Sequence, residues 1–242
     1  MSVDLTNLIS YWPLNESSNG SAPVTRADAH NGNDLTDNDN KPSGTGLVYS
    51  LAADFPTAGA LIHTDNAPLS MGNIDFTFAA WANLSDKTAN RFILSKGNIL
   101  GGGSEYRLYY DQPTNRFTMS VNGSLANGDG SLARADGLGS PSVDTWYFVV
   151  GWYDSTANLT RICVNDGTVT DGQAQSLGAV DGDGIFAVGY ALGVDEFWLG
   201  QIGPVMVWKR LLTSGEITTL YNGGAGLTYA AMSGERRFLL VR

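Results

Sequence analysis

Residues 146–153 constrain this chain more than any other stretch. Trp146, Phe148, Val150 and Trp152 fall on one side of an extended segment, and Tyr147, Val149 and Tyr153 on the other, because strand side chains alternate across the strand's plane. A strand apolar on both sides must be covered on both sides, as in the centre of a two-layer sandwich. The same period recurs. Ile74, Phe76, Phe78 and Ala80 alternate with Asp75, Thr77 and Ala79, and Tyr106, Leu108 and Tyr110 alternate with Glu105, Arg107 and Tyr109. The turn Asp111-Gln112-Pro113-Thr114-Asn115 then leads into Phe117, Met119 and Val121. Leu159 to Val164 predicts a strand closed by Asn165-Asp166-Gly167, three residues that tolerate the backbone angles of a tight hairpin. Further strands are expected over 184–190, 196–199 and 202–208. The period changes once: Thr213-Ser214-Gly215-Glu216 has capping-box spacing, and Ile217, Leu220 and Tyr221 share a helical face. With Gly223 as its stop, this predicts a helix of about two turns.

Composition narrows the partners. The chain has 242 residues, enough to bury a substantial core. Fourteen Lys and Arg against 24 Asp and Glu give a net charge of −10, which argues against nucleic acid, whose phosphates require a basic surface. Charged residues are only 16%, below the roughly 25% of an average soluble domain, so Ser, Thr, Asn and Gly must supply much of the polar surface. Cys163 is the single cysteine, which excludes an intrachain disulfide and a cysteine-based zinc site. No apolar run is long enough to span a bilayer as a helix, and residues 1–7 lack the pattern of a leader peptide, so no membrane partner and no export by the usual route are expected. Residues 15–46, rich in Asn, Asp, Ser and Gly, read as a long functional or capping loop. The division expected is a domain over 1–228 and a segment over 229–242. There Arg236, Arg237 and Arg242 surround Phe238 and its apolar neighbours, as a last strand closing the sheet or as an arm docking on a neighbouring subunit.

Several separated pieces resemble the laminin G-like domains of the concanavalin A-like lectin/glucanase type. They are Leu8-Ile9-Ser10-Tyr11-Trp12-Pro13-Leu14, Asp28-Ala29-His30-Asn31-Gly32-Asn33-Asp34-Leu35, Asp75-Phe76-Thr77-Phe78-Ala79-Ala80-Trp81, and Thr145 to Asp154 running into Val164-Asn165-Asp166-Gly167. Leu199-Gly200-Gln201-Ile202-Gly203, Val207 to Thr213 and Glu216 to Tyr221 complete the series in family order. The resemblance implies an all-β, two-sheet antiparallel jelly-roll sandwich with one short C-terminal helix. Trp12, Trp81, Trp146, Trp152 and Trp208 are then expected to fill a core about 10 Å thick. Trp198, beside Asp195-Glu196, is the expected exposed aromatic.

Three chemistries compete. Catalysis is disfavoured: His30 and His63 are the only histidines, no Gly-x-Ser-x-Gly elbow occurs, and the Glu-x-Asp-x-x-Glu strand of the fold's glycosidases has no counterpart. Calcium is the second. Asp28, Asn31, Asn33 and Asp34 place oxygen ligands around Gly32, and the resemblance implies Asp28 as a ligand. The alternative is an Asx-turn loop satisfied by its own backbone, and Gly203 stands where the family often has a second acid. No organic cofactor is implied. The third is glycan binding: alternation places Glu105, Arg107, Tyr109 and Asp111 beside Arg116, Thr118, Ser120 and Asn122 on one face, with Trp198 as a further aromatic. The function expected is therefore a non-catalytic binding or structural module, a bacteriophage capsid decoration or tail/fibre protein on the virion surface. Its expected partners are a cell-surface glycan, a capsid or tail protein and further copies of itself, with Arg236, Arg237, Phe238 and Arg242 as assembly residues. A bacterial surface adhesion module is the second reading, and a glycan-cleaving enzyme the third.

Overall fold

Alternation in the sequence becomes two antiparallel sheets. The computed structural model describes residues 3–99, 103–123 and 130–234. Its strands are β1 (Leu8–Trp12), β2 (Thr36–Asp37), β3 (Ser43–Thr45), β4 (Leu51–Phe55), β5 (Leu61–His63), β6 (Phe76–Leu84), β7 (Arg91–Lys96), β8 (Tyr106–Asp111) and β9 (Arg116–Asn122). They continue with β10 (Gly130–Arg134), β11 (Trp146–Asp154), β12 (Leu159–Val164), β13 (Thr170–Asp171), β14 (Phe186–Val188), β15 (Tyr190–Ala191), β16 (Glu196–Phe197) and β17 (Gly200–Trp208). Helices α1 (Ser214–Tyr221) and α2 (Tyr229–Ser233) follow. One sheet runs β13-β12-β11-β6-β17-β4-β3, with β1 also pairing β17; the other runs β10-β9-β8-β7-β14-β5-β2. β15 and β16 form a separate small ribbon.

The first sheet is apolar on both faces because each face has its own cover. Toward the second sheet, Phe76 and Phe78 of β6, Tyr147, Val149 and Tyr153 of β11 and Val205 of β17 meet Tyr106, Tyr110 and Phe117. On the opposite face Trp81, Phe148, Val150, Trp152, Met206 and Trp208 pack under Ile217 and Leu220 of α1 and Met232 of α2. This corrects the placing of the tryptophans. Of those expected between the sheets, only Trp12 lies there; Trp81, Trp146, Trp152 and Trp208 belong to the outer layer. Two glycines follow from this packing. A Cβ on Gly151 would stand 2.9 Å from Met119 Sδ across the sandwich. One on Gly203 would meet Trp81 Cβ at 3.3 Å and Trp146 Cζ3 at 3.4 Å.

Helix α1 has the capping expected of it. Thr213 Oγ1 accepts from the Glu216 N–H at 3.2 Å while Glu216 Oε2 accepts from the Thr213 N–H at 2.9 Å. Its left-handed stop falls at Asn222 (φ 49°), one residue before the expected Gly223. At the start of the segment read as a last strand or a docking arm, Tyr229–Ser233 is helical, capped by Thr228, and Met232 anchors it to the outer layer. Arg236, Arg237, Phe238 and Arg242 lie outside the described residues.

Candidate functional site

The loop after β1 is organised around one carboxylate. Asp28 Oδ1 accepts from the Tyr11 and His30 N–H groups, both at 2.9 Å, and Oδ2 from those of Asn31 and Asn33 at 3.2 and 3.0 Å. Asp34 Oδ1 accepts from the Asp28 N–H at 2.8 Å. The Asn31 and Asn33 amides donate to the Leu8 and Ile9 carbonyls and to Ser10 Oγ. Four donors aimed at one carboxylate satisfy it and present positive dipoles where a cation would approach. The four residues come together in one loop, with the Asp28 carboxylate turned toward backbone donors of the chain itself. Among the described residues no group of three or more His, Cys, Asp and Glu could hold a metal.

The outer face of β8 and β9 has the register that alternation predicts: Arg107 opposes Ser120, Tyr109 opposes Thr118, and Asp111 opposes Arg116. Its exposure differs. The β15–β16 ribbon and its flanks lie across part of this face, so Tyr109 stacks on Phe92 (5.0 Å, 9° between planes) in a small cluster with Ala191, Ile99 and Val194 and is only 8% exposed. Thr118, Ser120 and Asn122 are buried as well. Asp111 accepts from Thr114 Oγ1 at 2.5 Å and faces Arg134 Nε at 3.4 Å; Arg116 faces Asp136 at 3.3 Å. Arg107 donates to Ser120 Oγ at 3.2 Å and lies over the Tyr109 ring at 5.9 Å. Trp198 is no surface aromatic. It is fully buried between the sheets, its backbone N–H donating to the Gly189 carbonyl at 2.8 Å.

This face continues into a groove. Leu132 opposes Ser120 and Arg134 opposes Thr118 in β10. Both line a concavity of about 430 Å³ whose other wall is residues 170–173. Arg134, Asp136, Thr170, Asp171 and Gln173 are the lining residues with polar side chains. Arg161 Nε steadies Asp171 from behind at 2.8 Å. Sequence reasoning missed this groove because its walls come from segments more than 30 residues apart; the turn at Asn165-Asp166-Gly167, which brings β13 back onto β12, was its one visible signal.

Glu105 stands apart from the face assigned to it. It precedes β8, is 1% exposed, and pairs closely with the ammonium of fully buried Lys96. That ammonium also donates to Gly182 O at 2.8 Å and meets Asp65 Oδ1 at 2.7 Å. Asp65 and Gly182, with Ala67, Ser70, Asp181 and Asp183, line a second concavity of about 520 Å³. Burial pushes the Glu105 carboxyl up to about 7 against the pull of Lys96, whereas the Lys96 hydrogen bond holds Asp65 below the ordinary carboxylate range. Of the histidines, His30 Nδ1 lies 2.9 Å from Tyr229 Oη and His63 Nδ1 lies 2.5 Å from Thr64 O.

A laminin G-type family model, described as the concanavalin A-like lectin/glucanases superfamily, matches residues 56–218. No curated protein matches the chain. Among solved structures, a Trypanosoma rangeli sialidase in complex with sialic acid is 18% identical, with a TM-score of 0.63 over 94% of this chain and 35% of the sialidase. The botulinum neurotoxin serotype D ligand binding domain in complex with N-acetylneuraminic acid is 14% identical, with a TM-score of 0.63 over 90% of this chain and 51% of that one. The receptor binding domain of a mosaic C/D botulinum neurotoxin has a TM-score of 0.62 at 13% identity, again over 90% and 51%. The chain spans about a third of the sialidase and half of the toxin domains. At these identities the likeness is one of fold.

Proposed function

The chain belongs to the concanavalin A-like lectin/glucanases superfamily, and from that premise we propose that it is a non-catalytic saccharide-binding module. The groove between β10 and residues 170–173 carries the reading. It offers a planar guanidinium, carboxylates, an amide and a hydroxyl around one apolar side chain, Leu132, in about 430 Å³, the mix by which a polyhydroxylated ring is recognised. Structures sharing the fold bind sialic acid and N-acetylneuraminic acid, which supports a saccharide over other small ligands. A sugar-cleaving role would need two carboxylates flanking the bond to be broken, one of them as proton donor, and the two in the groove, Asp136 and Asp171, are each paired with an arginine, Arg116 and Arg161. Glu105, whose raised proton affinity would suit an acid catalyst, is sealed behind Lys96. The setting we propose is a bacteriophage virion surface, as capsid decoration or tail component, with a bacterial surface adhesin as the alternative; co-purification with particles separates them.

A glycan array followed by titration tests the binding reading. Removing a charged hydrogen-bond partner costs roughly 1.5–3 kcal/mol, so Arg134→Ala and Asp171→Ala should each weaken the captured glycan by about 10- to 100-fold without changing the melting temperature. Variants that bind like the wild type would remove the groove from consideration. Release of reducing ends by the wild type would replace binding with hydrolysis.

A further inference from the structure

Six of the seven described arginines face a carboxylate within ion-pair distance: Arg26 with Asp37, Arg91 with Asp86, Arg116 with Asp136, Arg134 with Asp111, Arg161 with Asp171 and Arg210 with Glu216. Arg107 is the exception. It is half-buried, and among the described residues the sole hydrogen bond of its guanidinium is to a neutral hydroxyl, Ser120 Oγ, at 3.2 Å. Acids are not in short supply, since the chain carries 24 against 14 bases. A guanidinium has five donors in a rigid fork and loses hydration on burial, so a half-buried one is normally matched by an anion. Burial lowers the Arg107 pKa, and the fields of Tyr109, Asp111 and Glu196, the two acids lying outside ion-pair distance, only partly offset it. The Tyr109 ring lies beneath the fork, 5.9 Å from centroid to guanidinium carbon, and Ser95 and Ser120 oppose Arg107 in register.

We infer that Arg107 is the docking point for the carboxylate of an acidic saccharide. This rests on the saccharide reading and specifies its ligand class. Arg107 lies on the same outer face as Leu132 and Arg134 and is separated from β10 by β9 alone. The distance is two strand spacings, roughly 10 Å, so a short acidic glycan that spans β9 from the groove reaches the Arg107 fork. Asp111 and Glu196 nearby favour a single carboxylate over a polyanion.

The experiment is calorimetric titration with the methyl glycoside of N-acetylneuraminic acid and with its carboxyl methyl ester, which keeps the ring and removes the charge. The wild type should bind the acid about 10-fold or more tighter than the ester. Arg107→Gln should abolish that preference while leaving ester binding unchanged. Arg107→Lys, which keeps charge over Tyr109 but not the fork, should retain part of it and serves as the folded control should Arg107→Gln unfold. Equal binding of acid and ester by the wild type overturns the inference, as does a preference that survives Arg107→Gln. If neutral glycans bind on an array in either case, the saccharide reading stands without it. Binding of no glycan at all removes both.

Discussion

Asp28 and Gly203 show how single positions decide what a loop or strand can do. Asp28 holds four backbone N–H groups from Tyr11, His30, Asn31 and Asn33. Truncating it strands those donors in a buried setting, a loss of roughly 2–4 kcal/mol by the cost of unsatisfied buried groups. Because the carboxylate is satisfied by the chain itself, Asp28→Ala should lower the melting temperature equally in calcium and in chelator. A loss confined to calcium buffer would return the loop to the metal-binding reading. Gly203 explains a departure from the family pattern in steric terms: any side chain here enters the space of Trp81 and Trp146. Gly203→Asp should therefore destabilise by about 1–3 kcal/mol, the usual cost of overpacking, to which burial of a charge adds. A melting temperature unchanged by it would show that the indoles yield freely.

Helix α1 is specified within its own first turn, which makes it a separable test at the level of the element. Burial alone would raise the Glu216 carboxyl, but Arg210 and the Thr213 donors outweigh it and bring it down to about 2. Lowered below the unfolded value of 4.5, this group contributes stability that is present above pH 4.5 and lost as pH falls toward 2. Thr213→Ala should cost about 1 kcal/mol. Glu216→Gln should destabilise at pH 7 and converge with the wild type near pH 2, as urea unfolding at the two pH values would report; a penalty independent of pH would assign Glu216 a packing role only. Such short-range devices were legible in the sequence: the capping box, the turns at Asp111 to Asn115 and Asn165 to Gly167, the two-faced strand β11 and the alternation of β6. Alternation also assigned Arg107, Tyr109 and Asp111 to one face correctly. It could not show that the β15–β16 ribbon covers Tyr109, since that contact joins strands about 80 residues apart. Nor could it assign Trp198 to the core, or Glu105 to Lys96, because a residue at a strand's end is free to leave the pleat.

At the scale of the whole molecule, a buried charge cluster ties one end of the second sheet to the loops that lead to and from the first. The Lys96 ammonium holds Glu105, Asp65 and the Gly182 carbonyl together, tying β7 and the start of β8 to the loops around residues 65 and 182. Glu105 there runs opposite to Glu216. Its carboxyl is raised from 4.5 to about 7, so between those values the folded chain retains a proton that the unfolded chain has released. Its contribution is present in full below pH 4.5, is lost as pH rises to about 7, and is level beyond. The lowered carboxylates Asp65, Asp86 and Asp154 pull the other way in acid, so the wild-type profile alone cannot isolate Glu105, and the comparison must be with a variant. Glu105→Gln keeps an acceptor for Lys96 and leaves Asp65 as its charged partner. Urea unfolding at pH 5 and pH 7.5 should show the wild type losing more stability between the two than Glu105→Gln does. An identical difference in both proteins would mean that Glu105 is ionised throughout and that the cluster is an ordinary ion pair.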